Sequence, residues 1–182
     1  MLRAIGGAWR GAREAASISF SSTRHTTGAH LHRVDHYPRV AGMSISLRDQ
    51  RIESAPFVIG GHKWQLHFFP NYNCGGQATV ALVLKGGPWW RPFYDMTDVT
   101  AAYEVSVLDG DGNRVFSRAV GPCCFTEWGY PRTVVVGTVE ELRLAVMRCG
   151  KDDDNGELVI RCDLTVMSIE EESRQVVPSS IS

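Results

Sequence analysis

Several stretches of this chain carry side chains that could bind ions or do chemistry. DGDGN at residues 109–113 opens like a calcium loop, with side-chain oxygens at its first, third and fifth positions. Continued, the count puts Arg114 where the sharp-turn glycine belongs and Val120 where the bidentate glutamate belongs, so a hairpin turn is expected instead. KDDDN at 151–155 sets three carboxylates side by side, where they cannot all face one ion, and reads as a solvated loop. His25, His30, His32 and His36 cluster near the amino end, and the last three would share one side of a strand expected at 29–37. Asp35 lies on the opposite face, so nothing at ligand spacing completes a metal site. GGHKW at 60–64 places glycines before a lysine, but a strand pattern follows where a phosphate cradle needs a helix N-terminus. There is no G-x-S-x-G and no H-E-x-x-H, and no Ser-His-acid or Cys-His arrangement has a local signature. The residues therefore point away from catalysis, and no metal or cofactor is expected.

The cysteines agree. Cys74, Cys123, Cys124, Cys149 and Cys162 are an odd set without C-x-x-C spacing or a secretory leader, which suits a reducing compartment. Cys162 occupies an inward strand position and should pack as a small hydrophobe. Adjacent Cys123 and Cys124 would bridge only with strained geometry, so a redox pair is set aside.

The elements that position these residues are mostly strands. The most informative stretch is FVIGGHKWQLHFFP at 57–70: Gly60 and Gly61 permit a tight reversal, and Trp64, Leu66 and Phe68 then alternate with Lys63, Gln65 and His67. Aromatics of that size need a second layer to cover them. Further strands are expected at 29–37, 44–53, 78–85, 99–109, 114–118, 133–136 and 158–167. The last alternates most cleanly, with Leu158, Ile160, Cys162, Leu164 and Val166 on one face. Residues 138–148 alone look helical, opened by a Thr138–Glu141 capping box. About eight strands at this spacing predict an antiparallel β-sandwich with one short helix.

The 182 residues, 43% hydrophobic and 21% charged, suffice for one core. A net charge of −1 offers no bulk attraction to nucleic acid or anionic membrane, and no apolar run approaches the roughly 20 residues of a membrane span. Residues 1–26 carry Arg3, Arg10, Arg13 and Arg24 against one acid, Glu14, and read as a disordered tail or an organellar transit peptide. Residues 169–182 read as a second solvated tail. The expected location is cytoplasm or nucleus, or an organelle if the first segment is a transit peptide.

Aromatic loops remain: Trp89, Trp90, Phe93 and Tyr94 in GGPWWRPFYD, and Trp128 with Tyr130 in TEWGYP. Such residues lid the end of a sandwich or flank a groove that holds an extended peptide.

TGAHLHRVDHYPRV (27–40), SAPFVIGGHKWQLHFFPN (54–71), ATVALVLKGG (78–87), AAYEVSVLDGDGN (101–113), EWGYPRTV (127–134) and KDDDNGELVIRCDLTVM (151–167) occur in this order. Together they resemble a MATH (TRAF-homology) domain over residues 27–168, most like those of plant, particularly grass, MATH-BTB proteins. The resemblance implies an eight-stranded antiparallel sandwich with a shallow peptide groove. In such relatives the domain captures Ser/Thr-rich segments of substrates, and a following BTB domain recruits a cullin-based ubiquitin ligase. The residues after Ile169 are too few for a BTB domain, which needs roughly 100. The expectation is thus a truncated substrate receptor or a competitor of full-length MATH-BTB proteins. The alternative is a structural module pairing with other MATH-containing chains through its aromatic loops.

Position by position, the resemblance assigns the groove to Trp128, Gly129 and Tyr130, with Glu127 before them, Phe125 beside them and Tyr103 from a central strand. Alternation with Val105 and Val107, by contrast, points Tyr103 at the core. One family aromatic aligns with Gln77, and Pro131 replaces a basic position of some relatives.

Overall fold

The computed structural model describes residues 16–44, 50–72, 75–86, 98–109, 111–127, 129, 131–147 and 156–176, the side chains of 16–20, 43–44 and 170–176 excepted. By its contacts the chain divides into residues 25–167, and residues 1–24 with 168–182.

In the first unit, the order along the chain is β1 (Ala16–Val34), α1 (Tyr37–Ser44), β2 (Ile52–Glu53), β3 (Phe57–Ile59), β4 (His62–Tyr72), β5 (Gln77–Leu84), β6 (Asp98–Leu108), β7 (Arg114–Thr126), β8 (Arg132–Thr138), α2 (Val139–Met147) and β9 (Leu158–Val176), β1 and β9 each running on into the second. One sheet has the order β1-β9-β6-β7 and the other β2-β4-β5-β8, with β3 also on β4. The expected all-β antiparallel sandwich is present.

Its core follows from alternation. Trp64, Leu66 and Phe68 on β4, Val80 and Leu82 on β5, Val105 and Val107 on β6, and Leu158, Ile160, Cys162 and Leu164 on β9 are all at most 1% exposed. The Gly60–Gly61 reversal joins Ile59 to its partner His62, and both glycines have positive φ, 62° and 78°. A side chain on Gly60 would also meet Val166, 2.7 Å from where its Cβ would stand. The indole N–H of Trp64 donates to the Ile59 carbonyl at 3.1 Å, locking the hairpin it follows.

Asp109–Asn113 is a hairpin turn. The Asp109 carboxylate accepts from the backbone N–H of Asp111 at 3.0 Å and of Asn113 at 2.8 Å. The capping box is also as expected: Thr138 N–H donates to Glu141 Oε2 at 2.8 Å and Glu141 N–H to Thr138 Oγ1 at 3.1 Å.

Four expectations are corrected. A second helix, α1, stands where strands ending at 37 and starting at 44 were expected. Pro38 lies in its first turn, where the missing N–H costs nothing, and Tyr37 is buried against Phe68, ring centroids 6.1 Å apart. The 44–53 strand reduces to Ile52–Glu53, with residues 45–49 outside those described. β7 runs on to Thr126, eight residues beyond the expected end at 118. In the second unit, strand backbone begins at Ala16 and, on β9, continues to Val176, where tails were expected. Pairing of β1 with β9 satisfies backbone groups that a tail would leave to water.

Candidate functional site

The residues singled out for a groove lie where β7 gives way to β8. β7 is the last strand of one sheet and β8 of the other, and residues 127–131 connect them. Both sides of this connection are tied down. The Tyr103 hydroxyl, reaching across from β6, donates to the Arg132 carbonyl at 3.3 Å. The Arg132 guanidinium in turn donates to the Cys124 carbonyl on β7 at 3.1 Å. Burial holds the Tyr103 hydroxyl well above the usual tyrosine range, so it stays protonated as a donor.

Phe125 anchors the end of β7. Its ring meets Trp64 at a centroid distance of 5.1 Å with planes at 90°, and Tyr103 at 6.0 Å and 61°. Tyr103 and Phe125 are each 4% exposed and belong to the core, so the alternation reading of Tyr103 is the one the structure follows. As groove walls these two rings offer almost no surface; they pack in the core and, through the Tyr103 hydroxyl, hold the start of β8.

Glu127 is half-buried in a turn that closes when Gly129 N–H donates to the Thr126 carbonyl at 3.0 Å. A Cβ on Gly129 would land on Thr126 Oγ1, so this turn needs a glycine there. Trp128 and Tyr130 lie outside the described residues, as do Trp89, Trp90, Phe93, Tyr94 and the acidic run 151–155. Gln77 is exposed at the start of β5.

The other chemical candidates resolve into structure. His30 stacks on Phe57 at 4.1 Å and 9°, and burial lowers the basicity of both His30 and His32. Among the described residues no group of three or more His, Cys, Asp or Glu is placed to hold a metal. Cys162 is fully buried and its thiol is pushed up to about 12, chiefly by burial, which makes it the packing residue expected. Cys123 and Cys124 are both free; the Cys123 thiol contacts the Ala101 carbonyl at 3.7 Å, while Cys124 is exposed.

One feature was not foreseen from the sequence. Between the start of β7, the end of β8 and α2 lies a cavity of about 300 Å3 lined by the apolar side chains of Val115, Phe116, Val136, Leu142, Leu144 and Ala145 together with Gly137 and the carboxylate-bearing Glu141. Its signal was the apolar Val115–Phe116 pair, hidden because strand and helix contribute to it from separate parts of the chain.

No protein-family model matches the chain. Over 132 residues it is 28% identical to BTB/POZ and MATH domain-containing protein 4 of Arabidopsis thaliana, a match covering 64% of this chain and 26% of that protein. The chain thus spans about a quarter of the length of this curated relative. Among solved structures, TRAF5 of Notothenia coriiceps aligns with a TM-score of 0.48 at 18% identity, covering 75% of this chain and 72% of that one. In sequence the chain is similar to a BTB/POZ and MATH domain-containing protein, and it resembles the MATH (TRAF-homology) domain in the motifs it carries.

Proposed function

We propose that this chain is a non-enzymatic protein-interaction module that binds extended peptide segments at residues 127–130, as the substrate-recognition part of a cullin-based ubiquitin ligase adaptor would. The observation that carries the reading is the EWGY motif on a short connection between two sheet edges, in a chain similar to a BTB/POZ and MATH domain-containing protein. Trp128 and Tyr130 would supply a rigid apolar wall, each worth about 2 kcal/mol or more if it is a binding hot spot. Glu127 would accept from a hydroxyl or amide of a Ser/Thr-rich ligand. Phe125 and Tyr103 hold the end of β7 and the start of β8 on either side of the connection. The anchoring of Phe125 and Arg132 on either side supports this reading, because flanks already held in place lose little entropy when ligand binds.

A pull-down with immobilised Ser/Thr-rich peptides tests it. Wild type should be retained and Trp128→Ala lost, with both proteins showing the same unfolding midpoint. Equal retention of the two sinks the assignment.

A further inference from the structure

The cavity between β7, β8 and α2 lies at the opposite end of β7 from Phe125, and none of residues 127–130 lines it. Its volume, about 300 Å3, is at the lower end for ligand sites and suits one large apolar side chain. Two of its walls are open to solvent, Val115 at 39% and Leu144 at 45% exposure. Together they leave apolar side chains open to solvent at the mouth of the cavity, where an incoming apolar group could cover them.

The strand that forms one wall is also a sheet edge. Among the described residues no strand neighbours its outward backbone groups, so an extended segment can add there. The register sets Phe116 opposite Val107 and Arg118 opposite Val105, so both side chains leave β7 on the same face. Arg118 is exposed and makes no ion pair among the described residues, whereas Arg114 is held by Glu104 at 2.7 Å. An antiparallel segment added to β7 would place one side chain over Arg118 and the side chain two residues later over Phe116 and the cavity.

We propose that this end of β7 binds an extended segment of another protein with the pattern acid–x–large apolar, the carboxylate meeting Arg118 and the apolar side chain filling the cavity. Charge favours this occupant over a second copy. In a symmetric antiparallel β7–β7 pairing centred on Phe116 at the cavity, each Arg114 would face the other copy's Arg118, and like charges across a strand pair repel.

The test is titration of the 15N-labelled full chain with the capped peptide acetyl-STESLTS-amide, followed by NMR. Shift changes are expected at residues 115–118, 136 and 144–145. Arg118→Glu should weaken binding by roughly fivefold or more, the size of an ion pair lost at a surface. Replacing the peptide's Glu by Lys should restore affinity for that variant. Replacing its Leu by Ser, or Leu144→Asp in the protein, should abolish binding. The proposal is overturned if no shifts appear at those residues, or if Arg118→Glu binds as wild type does. Shifts confined to 125–130 overturn it too, and leave the EWGY reading standing. Self-association in sedimentation velocity that Leu144→Asp abolishes would assign the surface to a second copy and overturn it likewise.

Discussion

The indole of Trp64 and the ring of Phe125 meet edge to face, 5.1 Å apart at 90°, and so join the Gly60–Gly61 hairpin to the last residues of β7. The geometry matches the preferred T-shaped arrangement of aromatic quadrupoles, worth about 0.5–1.5 kcal/mol beyond the area buried. Through this contact the core of the sandwich sets where residues 127–131 begin.

Truncating either ring should therefore be costly. Trp64→Ala and Phe125→Ala are each expected to destabilise the chain by about 3–5 kcal/mol in urea unfolding. The double variant should lose less than the sum of the two singles, because the rings share one contact. Strict additivity would show that they act independently.

Gly60 faces two constraints, a φ of 62° and the side chain of Val166. Gly60→Ala is expected to cost about 1–2 kcal/mol for the left-handed backbone alone, plus the cost of displacing Val166. Gly61→Ala, at φ 78° with nothing near its Cβ position, should cost the backbone part only. Equal unfolding midpoints for the two variants would remove the Val166 contact from the account.

Acidification should weaken the fold below neutrality. Burial is the largest cause lowering the basicity of His30, His32 and His67, below an ordinary value of 6.5. For His67, Glu53 opposes the shift while Arg51 and Lys85 add to it. The unfolded chain then binds protons that the folded chain refuses, so stability is full above about pH 6.5 and falls as pH drops through that value toward the folded pKa. The urea midpoint should be lower at pH 5.5 than at pH 7.5. His30→Phe, which keeps the stacking on Phe57, should narrow the difference. A midpoint independent of pH over this range would contradict it.

Thiol reactivity should separate the cysteines by position. At pH 8, iodoacetamide should label exposed Cys124 in the native chain, while Cys162, fully buried and with its thiol pushed up to about 12, should react only after unfolding. Peptide mapping by mass spectrometry reads this directly, and native labelling of Cys162 would show that β9 opens.

The sequence by itself determined the features whose cause is local. Period-2 alternation laid out β4 and β9, paired glycines made the reversal at 60–61, and a Thr–x–x–Glu spacing capped α2. Even the failed calcium loop was legible, because counting on from Asp109 puts Arg114 at the sixth position and Val120 at the twelfth, where a glycine and a glutamate belong. Tertiary structure decided what depends on phase and pairing. Between Ala101↔Cys123 and Tyr103↔Val120, β7 carries one residue more than β6, a bulge at Gly121–Pro122 where the proline has no N–H to give to a ladder. Before the bulge, even-numbered Phe116, Arg118 and Val120 share the inner side; after it, odd-numbered Cys123 and Phe125 do. A periodic reading cannot see such a change of phase, since one inserted residue turns every later side chain to the other face. That is why β7 looked finished at residue 118, why Phe125 came to rest on Trp64 in the core, and why the cavity against α2 became visible only in three dimensions.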